Sequence, residues 1–248
     1  MERSVRSTCF LAGSLALLTL LSSPPVEAED TGRILIFSKT AGFRHDAIPV
    51  AVQTVQRLAH EQGLQADHSE DAAQFTRDNL IRYRAVVFAS TTGDVLDEAQ
   101  QAAMQQYIRG GGGYMGVHAA ADTEYDWPWY GQLVGAWFHS HPEGLQSSRV
   151  QPERQGVPDG PAWTVRDELY NYRDNPRPRV QVLATLDESR YRGGTMGGDH
   201  PISWCHAFDG GRSWYTGLGH DAALYADPDF IAQLRRGLRY ASGLDDGC

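Results

Sequence analysis

Two continuous apolar runs stand out early in the chain, Arg33-Ile34-Leu35-Ile36-Phe37-Ser38 and Tyr83-Arg84-Ala85-Val86-Val87-Phe88-Ala89-Ser90. Neither alternates polar with apolar, so each predicts a strand buried on both faces, as in the middle of a parallel sheet. Around them, apolar positions recur at helical spacing. Residues 48–62 place Val52, Val55, Leu58 and Ala59 on one face and stop at Gly63; residues 76–81 and 97–109 predict two further helices. Residues 64–68 supply a short second strand. The turn Gly110-Gly111-Gly112-Gly113 leads into a third run, Tyr114-Met115-Gly116-Val117, which breaks at His118 into Ala119-Ala120-Ala121. Such strand and helix alternation predicts right-handed crossovers and an α/β fold, a three-layer, doubly wound, mostly parallel sheet.

The polar loops after Ser38, after Ser90 and at His118 all follow strand ends. They therefore gather on one edge of the sheet, where open α/β folds bind ligands. A strand that breaks sharply into a helix pushes the turn side chain out above that edge, and here that side chain is His118.

The second half is less regular. Residues 123–130 and 133–141 are rich in rings, among them Trp127, Trp129, Trp137 and Phe138, with His139 and His141. Rings with polar tips line sugar sites and serve equally well as core. Residues 149–164 carry proline and glycine and predict irregular surface chain. Residues 165–172, 180–186, 202–207 and 213–218 predict strands, the last two joined by Asp209-Gly210-Gly211-Arg212 as an antiparallel C-terminal hairpin. Residues 228–242 predict a closing amphipathic helix with Phe230, Ile231, Leu234 and Leu238 inward. Neither a repeat nor a linker divides residues 29–248, which are read as one domain.

Before the first strand, Arg3 and Arg6 precede an apolar run over residues 9–21, then Ser22-Ser23-Pro24-Pro25 and Val26-Glu27-Ala28. A basic start, a short apolar run and small residues at a cleavage position predict a signal peptide over residues 1–28. The run is shorter than the roughly 20 apolar residues that cross a bilayer. The mature chain is thus expected in the periplasm or outside the cell, with no membrane partner. Cys9 leaves with the signal; Cys205 and Cys248 then either pair in an oxidising compartment or remain as a buried thiol and a frayed end. Composition adds one exclusion. With 41% hydrophobic residues the chain is globular, and its net charge of −9 argues against nucleic acid, which needs a basic face.

Four blocks carry a resemblance: Lys39-Thr40-Ala41-Gly42-Phe43-Arg44-His45-Asp46, Gly116-Val117-His118-Ala119-Ala120-Ala121-Asp122-Thr123-Glu124-Tyr125-Asp126-Trp127, Gly197-Gly198-Asp199-His200-Pro201-Ile202 and Tyr215-Thr216-Gly217-Leu218-Gly219-His220. In content and order they resemble the ThuA-like, trehalose-utilisation family over nearly the whole mature chain. The resemblance implies a fold similar to the class I glutamine amidotransferases, related to flavodoxin-like sheets. It also implies carbohydrate metabolism, with a trehalose-type disaccharide or a 3-keto-sugar as small-molecule partner. Amidotransferases of this fold hold a nucleophilic cysteine at the strand-to-helix turn and a histidine followed by an acid after a late strand. Here those places hold His118 and His220-Asp221. Without a thiolate, glutaminase chemistry is lost. What remains is an enzyme acting on a sugar, such as an isomerase, lyase or hydrolase, or a non-catalytic carbohydrate-binding or scaffold protein that keeps the fold. One block departs from the family pattern: a His-Pro pair is expected near Val150, where the chain has Gln151-Pro152-Glu153.

Two histidines facing each other across the sheet edge offer two chemistries. A keto group acidifies the neighbouring C–H, so a histidine base could drive enolisation, leading to isomerisation or loss of the glycosidic partner. Alternatively a divalent metal such as zinc takes His118, His220 and Glu168 as donors, with His45 or His200 completing a mixed shell. No compact ligand motif is present, so a metal rests on distant residues converging. The expected catalytic set is His118, His220, Glu168 and Asp122. Glu168 and Tyr170 fall two apart in a predicted strand, on one face, where an acid is costly unless paired or functional. Asp122 lies one helical turn after His118 and either orients that ring or caps the helix. Arg44, His45, Trp127, Tyr170 and His200 are expected around the substrate. Arg44 offers a cation for an enolate oxygen, Trp127 an aromatic wall with Trp129 and Trp137, and His45 and His200 either contacts or structural anchors.

Overall fold

β1 (Arg33–Phe37) and β3 (Ala85–Ala89) are the two apolar runs, and all of their residues except Arg33 are buried. α1 (Ile48–Glu61) carries the chain from β1 to β2 (Gln65–Ser69), which pairs with β1 in parallel. The chain then returns past β1, through the short helix α2 (Arg77–Leu80), to β3 on the other side. α3 (Glu98–Arg109), started by a capping box between Asp97 and Gln100, leads to β4 (Gly113–Val117), again parallel. Right-handed crossovers that run in opposite directions put their helices on opposite faces. α1 therefore covers one face and α2 with α3 the other, which gives the three layers. The computed structural model describes Met1, Glu2 and residues 32–248, so the expected signal peptide lies outside the described residues apart from its first two.

Beyond β4 come α4 (Pro128–Val134), β5 (Phe138–Ser140), β6 (Gln146–Arg154), β7 (Val157–Pro158), β8 (Trp163–Asp167), β9 (Asn171–Tyr172), β10 (Gln181–Leu186), β11 (Pro201–Phe208), β12 (Gly211–Thr216) and α5 (Pro228–Ala241). The ten-stranded sheet runs β2-β1-β3-β4-β12-β11-β10-β6-β7, with β8 also on β6, and β5 pairs separately with β9. Its first five strands are parallel; β11, β10 and β6 extend it antiparallel. The hairpin between β11 and β12 turns at Asp209 and Gly210, as its sequence predicts. α5 packs on β12 and β4, where a Cβ on Gly113 would collide with the Ala241 carbonyl. Residues 32–248 fall in one compact unit. Among the described residues, no helix is long and apolar enough to cross a membrane.

Three expectations need correction. Residues 149–164 are not irregular: β6 spans nine residues and pairs with both β8 and β10. Its Ser148 and Val150 are buried while Ser147 and Arg149 are exposed, a half-buried alternation that Pro152 and the following glycines obscure. Residues 165–172 are not one strand, because β8 ends at Asp167 and Glu168, Leu169 and Tyr170 lie between strands. The segment after β4 is a single 3-10 turn, His118–Ala121, rather than a helix. Cys205 and Cys248 are joined by a disulfide.

Candidate functional site

The order β2-β1-β3-β4 reverses direction at β1, which makes the carboxyl ends of β1, β3 and β4 the natural ligand edge. The structure places His45 in the loop after β1, His118 directly after β4 and His220 in the loop after β12, all at that edge. His118 has φ 50°, in the left-handed region that a side chain enters only at a cost of about 1–3 kcal/mol. Contacts hold it there. Tyr215 Oη donates to the His118 carbonyl at 2.8 Å, and His118 Nδ1 donates to the Gly217 carbonyl at 2.8 Å. The wholly buried ring is thereby held at the carboxyl end of β4.

Three imidazoles meet edge to face: ring centres lie 4.8 Å apart for His45 and His118, 5.1 Å for His45 and His220, and 5.3 Å for His118 and His220. Glu168 closes the group, its Oε2 at 3.5 Å from His118 Nε2 and 3.2 Å from His220 Nδ1. These approaches are not aligned as hydrogen bonds. Nδ1 of His45, Nε2 of His118 and Nδ1 of His220 are each buried without a hydrogen-bond partner. Buried ring nitrogens are ordinarily satisfied, so three unpaired ones on histidines that cluster with one carboxylate mark a place built for something else.

The charges are arranged accordingly. Burial and the neighbouring His118 and His220 push His45 down to about 3, so its ring is neutral at ordinary pH. Burial works against ionisation of Glu168, but His118 and His220 outweigh it and hold its carboxyl well below the usual range. His220 is raised, first by Glu168. His141, which sequence reasoning left unassigned, places Nδ1 at 3.3 Å from Glu168 Oε1 and leaves 40% of its side chain exposed, on the solvent side of the group. The His-Pro pair His141-Pro142 was the available signal.

Two supports lie beneath. Asp167, wholly buried, accepts from the backbone N–H of Gly219 at 2.6 Å, of His220 at 3.4 Å and of Asp221 at 2.8 Å. It thereby fixes the loop that carries His220, a role the sequence did not suggest. His200, also wholly buried, meets Glu188 Oε1 at 2.7 Å and Tyr191 Oη at 2.9 Å, and its Nε2 donates to the Tyr170 carbonyl at 2.8 Å. The Tyr170 ring in turn lies 4.2 Å from the His118 ring. His200 thus stands behind the site as an anchor.

The other expected residues sit apart from the four. Asp122 accepts from Tyr125 Oη at 2.6 Å and makes no hydrogen bond to His118. Arg44 forms a two-pronged pair with Glu70. Trp127 is buried and stacks on Trp129 and Tyr130. Trp129 Nε1 is bound to Asp209 and Trp137 Nε1 to the Thr123 carbonyl, so the three tryptophans do not form one wall beside the histidines.

The sequence profile of ThuA, described as trehalose utilisation, matches residues 33–241. The chain belongs to the ThuA family. Its fold is similar to that of solved ThuA-like proteins: one from Bacteroides uniformis, 23% identical, TM-score 0.73, covering 88% of this chain and 94% of that one, and one from Parabacteroides merdae, 19% identical, TM-score 0.69, covering 85% and 89%. A β-galactosidase from Bacillus circulans has 13% identity and TM-score 0.51, with 88% of this chain laid on 32% of the larger enzyme. No curated protein matches the chain. Within the ThuA family fold, His118 occupies the strand-end turn that the sequence singled out, and Glu168 and His220 converge on it from elements 50 or more residues away in the chain.

Proposed function

We propose that this chain is an enzyme acting on a disaccharide or a 3-keto-sugar, with His45, His118, Glu168 and His220 as its reactive centre and His141 at the mouth. The observation that carries the reading is the set of three buried, unpartnered ring nitrogens on histidines that cluster with one carboxylate at the ligand edge of the sheet. A binding relic has no use for such an arrangement, since leaving buried polar atoms unsatisfied costs about 1–3 kcal/mol each. The family's link to trehalose utilisation supports the substrate class. A sugar carbonyl seated against the centre acidifies its neighbouring C–H. Proton removal there would lead to isomerisation or to elimination of the glycosidic partner. Glutaminase chemistry is excluded because no cysteine stands at the turn.

The test incubates purified protein with trehalose and with 3-keto-disaccharides and follows products by chromatography, in parallel with His118→Ala and Glu168→Gln. Turnover that falls by roughly 10²–10⁴-fold in both variants is expected. Binding without turnover in the parent would make the chain a carbohydrate-binding protein instead, and neither binding nor turnover would remove the sugar.

We further infer export to the periplasm or beyond. The basic and apolar N-terminal segment and the Cys205–Cys248 disulfide support it. N-terminal sequencing of the protein recovered from each cell fraction checks this; an intact residue 1 on cytoplasmic protein would refute it.

A further inference from the structure

The unpaired nitrogens share a geometry that the choice of a sugar does not explain. Because His118 Nδ1 donates to the Gly217 carbonyl, the neutral ring keeps its lone pair on Nε2, the atom that faces Glu168. His118 Nε2 lies 3.5 Å from Glu168 Oε2 and His220 Nδ1 lies 3.2 Å from the same oxygen, neither nitrogen aimed along the line of a hydrogen bond. Donors that stand this close without bonding one another fit a group whose atoms converge on a single ion. In a tetrahedral shell with donors at about 2.0–2.1 Å from the ion, neighbouring donors stand about 3.4 Å apart. Two edges of the observed group have that length. One nitrogen of His45 completes it, with all four donor atoms within 4.8 Å of one another.

We propose that His45, His118, Glu168 and His220 form a binding site for one divalent metal ion of the zinc class. Three imidazoles and a carboxylate are a mixed nitrogen and oxygen set that suits zinc and its transition-metal neighbours; calcium and magnesium want oxygen alone. The surroundings are those of a metal site rather than of a chance cluster. The strained turn and the Gly217 carbonyl fix the His118 ring, Asp167 fixes the loop of His220, and a hydrophobic ring from Tyr170 covers one side. On the His141 side the group meets solvent, so a zinc-class ion expanding to five donors has a position for a substrate oxygen. There it would polarise a sugar carbonyl or hydroxyl. The inference rests on reading this cluster as the reactive centre, but its test does not depend on the substrate.

The full chain is purified without chelators, its metal content measured by mass spectrometry, and the stripped protein titrated with Zn²⁺ against a chromophoric chelator. Replacement by Co²⁺ adds a visible spectrum that reports imidazole coordination. One ion per chain is expected. His45→Ala, His118→Ala and Glu168→Gln should each weaken affinity at least tenfold, and His68→Ala, away from the cluster, should leave it unchanged. Thermal melts establish that each variant is folded. Folded parent that binds no stoichiometric metal, or cluster variants that bind as the parent does, overturns the proposal. No bound ion together with sugar turnover that is lost in His118→Ala would overturn the metal site and leave the enzyme. One bound ion with no sugar turned over would do the reverse.

Discussion

Asp167 is the residue on which the position of His220 depends, and Asp167→Asn isolates its contribution with little change in volume. The carboxylate takes three backbone N–H groups through two oxygens, Oδ2 serving Gly219 and His220, Oδ1 serving Asp221. An amide keeps one oxygen. Turned toward Gly219 and His220, it sets its NH₂ against the N–H of Asp221. One charge-assisted bond worth about 1.5–3 kcal/mol is lost, and the others weaken by about 1 kcal/mol each. Removal of a buried charge offsets part of this, since burial raises the Asp167 carboxyl despite the three donors. The net expectation is a loss of about 2–4 kcal/mol, a large effect for a single substitution. It corresponds to roughly 4–16 °C in Tm for a chain of this size. Urea unfolding followed by fluorescence measures the first and calorimetry the second, with the exposed Asp159→Asn as control. Because the loop carries His220, the variant should also weaken any ligand of the cluster in the folded state. A stability within 0.5 kcal/mol of the parent would refute the assignment of Asp167 as the tether.

Further expectations follow from other places in the molecule. Gly219 has φ 126° and a Cβ there would stand 2.7 Å from Tyr225 Oη, so Gly219→Ala should lose about 1–3 kcal/mol in urea unfolding, whereas Gly160→Ala, in open space, loses less. The disulfide closes a 43-residue separation, for which chain entropy gives about 4 kcal/mol; Cys205→Ser should lower unfolding stability by an amount of that order, and an unchanged midpoint would count against the bond. Arg177 bonds Asp199 at 2.7 Å and, through this hydrogen bond, holds its carboxyl below the usual range. A depressed acid stabilises above its unfolded pKa, near 3.9, and loses that stabilisation as pH falls through the folded value. Because Arg177 also holds Glu153, Asp199→Asn isolates this pair; its penalty, about 0.5–1 kcal/mol at pH 7, should shrink below pH 4, and a constant penalty would be inconsistent with this pairing.

The parallel half of the sheet was legible because buried central strands must be apolar throughout and their helices must be amphipathic. β1, β3 and β4 fall within a residue or two of the runs that predict them. The outer antiparallel part was not. β6 is half exposed and carries Pro152, so its pattern resembles a loop until β8 and β10 are seen beside it. In the site, His118 and His220 could be named because each follows a strand at a glycine-rich or small-residue turn. Asp167 could not. Its partners are backbone N–H groups more than 50 residues away, and nothing in its own neighbours announces them. Arg44 and Trp127 have partners that were hidden for a related reason. A charged or aromatic residue next to a motif has the right chemistry, yet Glu70 and the rings of Trp129 and Tyr130 had already taken them.

The place of β12 bears on how the molecule comes into being. This late strand lies in the middle of the sheet, with β4 on one side and β11 on the other. The pairing that brings Gly217 to His118 spans 99 residues. A chain of which only the first two hundred residues have been made therefore lacks the strands that join β4 to β10. Contacts so distant in sequence form slowly. The pairing that closes the sheet is thus also the event that delivers His220 to its partners.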